Sequence, residues 1–328
     1  MPHPLPADLG GLELPRQTIW DSKQVIPAPR EEVFTSSFGH AYPSPHLLDS
    51  GLGTMAVYDI QPPSGHAKRN VLVIHGVCTP AIGQLPLTKH LQALHPDTHI
   101  VVFDLWGHGR STTPLVPHTA SIFEFQVLQV LSYMQWTKAH IVGYSFGGSI
   151  AVRFATHYPW AVSTMTLVAP AGLVNKDTFG SELNQLLVDS TGRQEEAFEK
   201  VLSFLEGGPL VVPSDWKERV QKGEVVAEAL RQWELDKHAG YRHSVLSIFR
   251  EGNIYDCEAA FSAYVQSPVE KLAIVAEFDP ICYDHQLKNV GFANVKIVPD
   301  SDHAFIRSMP EKIARIILEF WTEVSRDI

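Results

Sequence analysis

The 328-residue chain, with 45% apolar side chains, is long enough to bury a full core as one large domain carrying an insertion. Its 36 acidic against 26 basic residues leave a formal charge of −10, which disfavours nucleic acid or an anionic membrane surface and favours an uncharged small molecule as partner. Three cysteines, Cys78, Cys257 and Cys282, are too sparse and odd in number for a secreted disulfide framework.

The opening segment MPHPLPADLGGLELPRQTIW has neither the basic start nor the continuous apolar stretch of a signal peptide. No Asn begins an N-x-Ser/Thr sequon, and no apolar run approaches the ~20 residues that span a bilayer. A reducing, cytoplasmic setting without a membrane span is the expectation. Residues 1–33, rich in Pro and Gly, read as an N-terminal arm to which no chemistry is assigned.

Apolar runs of strand length then follow at 33–41, 54–61, 71–75, 99–105, 140–144, 164–168, 272–277 and 295–299. VLVIH, IVVFDL, HIVGY and LAIVAEF are nearly continuous in apolar residues rather than alternating, the pattern of parallel strands covered on both faces by helices. Helical patterns separate them at 85–94, 121–136, 146–158 and 310–324, the last with Ile313, Ile316, Ile317 and Phe320 on one stripe. The fold class is therefore α/β, a mostly parallel eight-stranded sheet. Residues 172–268 break the rhythm with charged helical segments such as AFEKVLSFLEG and YRHSVLSIFREG, and read as a helical cap inserted into a core made of 34–171 and 269–328.

Within HIVGYSFGGSIAVRFATHYP, Gly143-Tyr144-Ser145-Phe146-Gly147 lies between an apolar strand and a helix. G-x-S-x-G in that setting is a nucleophile elbow, a tight turn that lifts the Ser hydroxyl above the carboxyl end of the sheet. The run VLVIHGVCTP ends a buried strand in His75-Gly76, and in a serine hydrolase of this build the loop after such a strand supplies one oxyanion N–H, the residue after the nucleophile the other. Val77 and Phe146 are the candidates. Cys78 reads as a small buried residue, not a second nucleophile.

VVFDLWGHGRS adds a strand end running into a Gly-bracketed turn, Asp104 through Ser111. HG after one strand, D-x-x-G-x-G-x-S after the next and then G-x-S-x-G together resemble the α/β-hydrolase family, in its lid-bearing esterase- and lactonase-like branch, from about residue 34 to the end. That resemblance implies the triad order Ser, acid, His. KLAIVAEFDPICYDH offers Asp279 where a strand gives way to a loop, with Glu277 as nearest rival and Asp284 too far on. VKIVPDSDHAFI offers His303 past the last strand; His285 is the fallback among sixteen histidines. The resemblance also allows the acid to follow the strand at 164–168, where no carboxylate occurs until Asp177, and this absence strengthens Asp279.

The implied chemistry is acyl transfer: His303, oriented by Asp279, takes the Ser145 proton as Oγ attacks an apolar ester or lactone carbonyl. The Ser at the elbow sets this chain apart from dehalogenase- and epoxide-hydrolase-like members, which use Asp, but leaves C–C bond hydrolase and cofactor-free haloperoxidase chemistry open. A hydrolase-fold ligand receptor with little turnover is the rival from another class. Leu202, Phe204, Leu205, Trp216, Trp233, Tyr241 and Phe249 of the cap either line the substrate pocket or form the cap's own small core. No cofactor and no metal are implied: Gly51-Leu52-Gly53-Thr54-Met55-Ala56 precedes a strand rather than a helix and reads as a hairpin turn, and HAGYRH lacks the spacing of a zinc site.

Overall fold

The computed structural model describes residues 25–326, so most of the expected N-terminal arm, residues 1–24, lies outside the described residues. In chain order the elements are β1 (Val25–Ile26), α1 (Glu31–Phe38), β2 (His46–Ser50), β3 (Gly53–Ile60), β4 (Arg69–Ile74), α2 (Leu85–Leu94), β5 (Thr98–Phe103), β6 (Thr113–Pro114), α3 (Ala120–Tyr133), β7 (Ala139–Tyr144), α4 (Phe146–His157) and β8 (Val162–Val168). Six helices follow: α5 (Gly180–Val188), α6 (Gln194–Glu206), α7 (Trp216–Gln221), α8 (Ala227–Lys237), α9 (Tyr241–Glu251) and α10 (Glu258–Val265). The chain then returns through β9 (Glu270–Ala276), α11 (Asp284–Asn289), β10 (Val295–Val298), α12 (Phe305–Ser308) and α13 (Pro310–Arg326).

Eight strands form one sheet in the order β10-β9-β8-β7-β4-β5-β3-β2, parallel except for the β3–β5 and β2–β3 pairs, with helices on both faces. Val71 to Ile74 of β4 and Ile100 to Phe103 of β5 are wholly buried, which accounts for their unbroken apolar sequence. Because the central strands run the same way, the residues that follow β4, β5, β7, β9 and β10 all emerge at one rim, where open α/β sheets bind their ligands.

One expected strand is corrected. Residues 33–41 belong chiefly to helix α1, and the eighth strand is β2, paired with β3 through a hairpin at Gly51-Leu52. Phe34 and Phe38 lie one helical turn apart and both are buried, Glu31 and Glu32 occupy the positive first turn, and Gly39 ends the helix at φ 66°. Phe34 meets Trp233 of α8 edge-on at 5.1 Å, and Phe38 meets Trp216 of α7 at 5.9 Å. Tertiary contact with the inserted helices therefore overrides the strand-like composition. β2 escaped notice because it is an edge strand whose Leu47 is 58% exposed.

Most of the buried side chains between β8 and β9 join the same core cluster as the sheet, and there Phe179 packs edge-on against Phe204 at 4.7 Å and, tilted, against Phe249 at 5.8 Å. In a second cluster, Val226, Leu230 and Trp233 close over Ile82, Leu85 and α1.

The elbow between β7 and α4 leaves no room for side chains. A Cβ on Gly147 would lie 2.2 Å from the Ile74 carbonyl oxygen, and one on Gly143 2.5 Å from that of Gly147. Three imidazoles, those of the buried His75 and His118 and the largely buried His140, tie the layers in their neutral form. Burial pushes His75 and His118 down to about 4, and burial with the nearby Arg69 charge does the same to His140.

Two measurements check these assignments. Gly147→Ala forces α4 away from β4 and is expected to destabilise the fold by about 3 kcal/mol or more, seen as a lowered denaturation midpoint; an unchanged midpoint contradicts the packing. The unfolded chain protonates its histidines near pH 6.5, whereas the three buried ones resist until about 4, so their stabilisation is complete above pH 6.5 and is lost as the pH falls, on the order of 3 kcal/mol each. Burial raises Asp104 to about 6 and also raises Glu206 and Glu234, and these carboxyls act in the opposite sense, whereas His108, His238 and His243, lowered by burial, add to the effect of the three imidazoles. Urea midpoints should thus drop from pH 7 to pH 5; an equal or higher midpoint at pH 5 contradicts neutral buried imidazoles.

Candidate active site

Ser145 follows the last residue of β7 with φ 51° and ψ −119°, a backbone conformation that a non-glycine residue keeps only when its surroundings impose it. Its N–H donates to the Val168 carbonyl at 3.0 Å, and its own carbonyl accepts from Gly148 and Ala171, each at 2.9 Å. The turn is therefore clamped from β8 and α4, and the hydroxyl is aimed over the sheet rim.

The loops after β9 and β10 bring Asp279 and His303 to that hydroxyl. His303 Nε2 lies 3.1 Å from Ser145 Oγ, and Nδ1 lies 2.7 Å from Asp279 Oδ2. Since a carboxylate accepts, Nδ1–H is the donor, and Nε2 is left to accept from the serine hydroxyl. Asp279 is 1% exposed, and its Oδ1 accepts from the Ile281 and Cys282 N–H groups at 3.0 and 3.1 Å, so all three donors hold one orientation of the carboxylate. The rivals are occupied elsewhere: Glu277 accepts from the Asp300 N–H at 2.9 Å, Asp284 pairs with Lys288, and His285 stacks on Tyr283 at 5.4 Å.

Gly76 packs against Ser145 so closely that an added Cβ would lie 2.9 Å from that of the serine, and Val77 is the next residue of the loop after β4. Phe146 opens α4 on the other side. Among the described residues neither the Val77 nor the Phe146 N–H donates to another group, which leaves both available to an anionic oxygen. Asp104 anchors that loop: it accepts from the Ala81 N–H at 2.8 Å, the Arg110 N–H at 2.9 Å and the Tyr58 hydroxyl at 2.9 Å. His75 adds a second tie, with Nδ1–H donating to the Gly76 carbonyl at 2.7 Å and Nε2 accepting from the Leu105 N–H at 2.9 Å. Burial pushes the Cys78 thiol up to about 12, so it is no nucleophile at neutral pH.

Two contributions were not read from the sequence. The Tyr144 hydroxyl donates to the His303 carbonyl at 2.9 Å, with the Arg307 guanidinium over its ring at 5.9 Å, and so fixes the loop that carries the imidazole. Tyr144 is the first variable residue of G-x-S-x-G, and only the fold tells what it meets. From the inserted helices, Glu234 of α8 accepts from the Gly109 N–H at 2.7 Å and joins α8 to the turn after β5. Among the described residues no group of three His, Cys, Asp or Glu side chains could hold a metal ion, and no helix is long and apolar enough to cross a membrane.

A family model described as alpha/beta hydrolase fold matches residues 69–204. Monoacylglycerol lipase ABHD6 of Homo sapiens is 24% identical over 286 residues, covering 81% of this chain and 79% of that protein. The enol-lactonase from Burkholderia xenovorans LB400 superposes with a TM-score of 0.62 at 17% identity, over 82% of this chain and 97% of its own. A thermophilic esterase from Thermogutta terrifontis superposes with a TM-score of 0.63 at 16% identity, over 86% and 98%. The sheet order, the elbow at Ser145 and these likenesses agree: the chain has the alpha/beta hydrolase fold, and its residues 69–204 match that family's model.

Proposed function

We propose that this chain is a serine hydrolase that cleaves an uncharged, largely apolar carboxylic ester or lactone through an acyl-enzyme on Ser145. The observation that carries the reading is the continuous relay from Asp279 through His303 to the Ser145 hydroxyl, with both links at hydrogen-bond length. His303 takes the hydroxyl proton as Oγ attacks the carbonyl carbon, and Asp279 stabilises the imidazolium so formed. The Val77 and Phe146 amides receive the charge that develops on the carbonyl oxygen. His303 then gives its proton to the leaving alkoxide, and in the second half of the cycle deprotonates the water that hydrolyses the acyl group.

The monoacylglycerol lipase, enol-lactonase and esterase named above favour carboxylic ester chemistry. Residues 172–268 act in this reading as a cap over the site. The free thiols of Cys78, Cys257 and Cys282 suit a reducing, cytoplasmic setting.

Ser145→Ala, which keeps the fold, is expected to lower kcat on any accepted ester by several orders of magnitude; turnover within tenfold of the parent protein would refute the assignment. Across a panel of neutral, anionic and very short esters, neutral medium-chain acyl groups are expected to give the highest kcat/KM. A panel in which only charged or acetyl esters react overturns the substrate class while leaving the nucleophile standing.

A further inference from the structure

Beside the oxyanion loop, three polar side chains are completely buried: His108 Nε2 and Glu234 Oε2 have no hydrogen-bond partner among the described residues, and the Tyr241 hydroxyl has only the weak acceptor of the Cys78 thiol. His108 comes from the turn after β5, Tyr241 and Glu234 from α9 and α8. The His108 and Tyr241 rings meet edge-on at 5.5 Å, and the Tyr241 phenol lies beside the thiol of Cys78, the residue after Val77. Glu234 is joined to the same turn through Gly109. Each such group is a cost to the fold, and Phe in place of Tyr241 would fill the same space without it. Three in one seam, drawn from both sides of it and next to the proposed site, mark a place built to receive something.

Resting on the function proposed above, we propose that this seam is a substrate subsite and that it recognises a hydroxyl group on the substrate's body, with His108 and Tyr241 as the specificity-determining residues. The donor pattern selects that group. His108 Nδ1 lies 3.1 Å from the Trp106 carbonyl, which can only accept, so Nδ1 carries the proton and Nε2 is an acceptor. Tyr241 offers a phenolic donor. A hydroxyl donates to the imidazole and accepts from the phenol at once; a ketone or ether cannot donate, and an alkyl group does neither.

Burial also keeps the seam uncharged, lowering His108 well below and raising Glu234 well above their usual ranges, so a substrate carboxylate finds no cation among these three. Tyr241 and Glu234 ride on the inserted helices while His108 and Cys78 belong to the core. Because these groups are wholly buried between the helices and the core, the proposal requires the two to part when a substrate enters.

The test compares methyl octanoate with its monohydroxy counterparts at carbons 3 to 8, and octyl acetate with the matching hydroxyoctyl acetates, so that both sides of the ester bond are sampled. At least one hydroxylated ester should exceed its parent in kcat/KM by tenfold or more, and in Tyr241→Phe that ratio should fall toward one while the thermal midpoint stays at or above that of the parent protein. A purely structural role for the phenol would instead lower the midpoint and slow every ester alike. The subsite is overturned by ratios near one throughout, or by a preference that survives both Tyr241→Phe and His108→Phe. If none of the esters is turned over at all, it is the neutral-ester reading proposed above that has failed, not the subsite alone.

Discussion

The arrangement of this molecule depends on how closely α4 can lie against β4 and β7. Ser145 holds a left-handed backbone because the turn around it is compressed between the Ile74 carbonyl and the start of the helix, with Gly143 and Gly147 in contact and no side chain between. That compression projects the hydroxyl above the rim instead of into the core. The same closeness sets Gly76 against Ser145, so the loop that begins at Val77 leaves the sheet beside the elbow.

Everything else at the rim is a matter of orienting loops around this fixed point. Asp104 clips the loop after β4 to the turn after β5, while Glu277, the unused carboxylate, secures the loop before His303 through the Asp300 N–H. Tyr144 holds the His303 backbone from beneath. Each of these ties goes to backbone, which fixes where a loop runs while leaving the reacting side chains free to exchange protons.

The parallel layer and its rim residues were legible in the sequence because they obey local rules. Unbroken apolar strands, the glycines of the elbow and the position of Asp279 and His303 just past two strands are written in consecutive residues. The helix α1 was misread because Val33 and Phe34 resemble a strand until Trp233 and Trp216 are known to lie over them. The pairings of Tyr241 with His108 and of Glu234 with Gly109 join residues more than a hundred positions apart. No spacing rule encodes such contacts, and the sequence offered Tyr241 only as one of several large cap side chains.

The inserted helices thus have two relations to the core. Through Trp233, Leu230 and α1 they are seated by apolar packing, and through Glu234 and Tyr241 they bring polar groups to the edge of the proposed site at an energetic cost. The central claim, a covalent acyl group carried by Ser145, is met most directly by mass spectrometry of the protein quenched during turnover of a slowly deacylating ester. The account expects the mass of one acyl group on the peptide that contains Ser145, disappearing as turnover ends. Steady hydrolysis with no adduct, or with the acyl group on another residue, would contradict it.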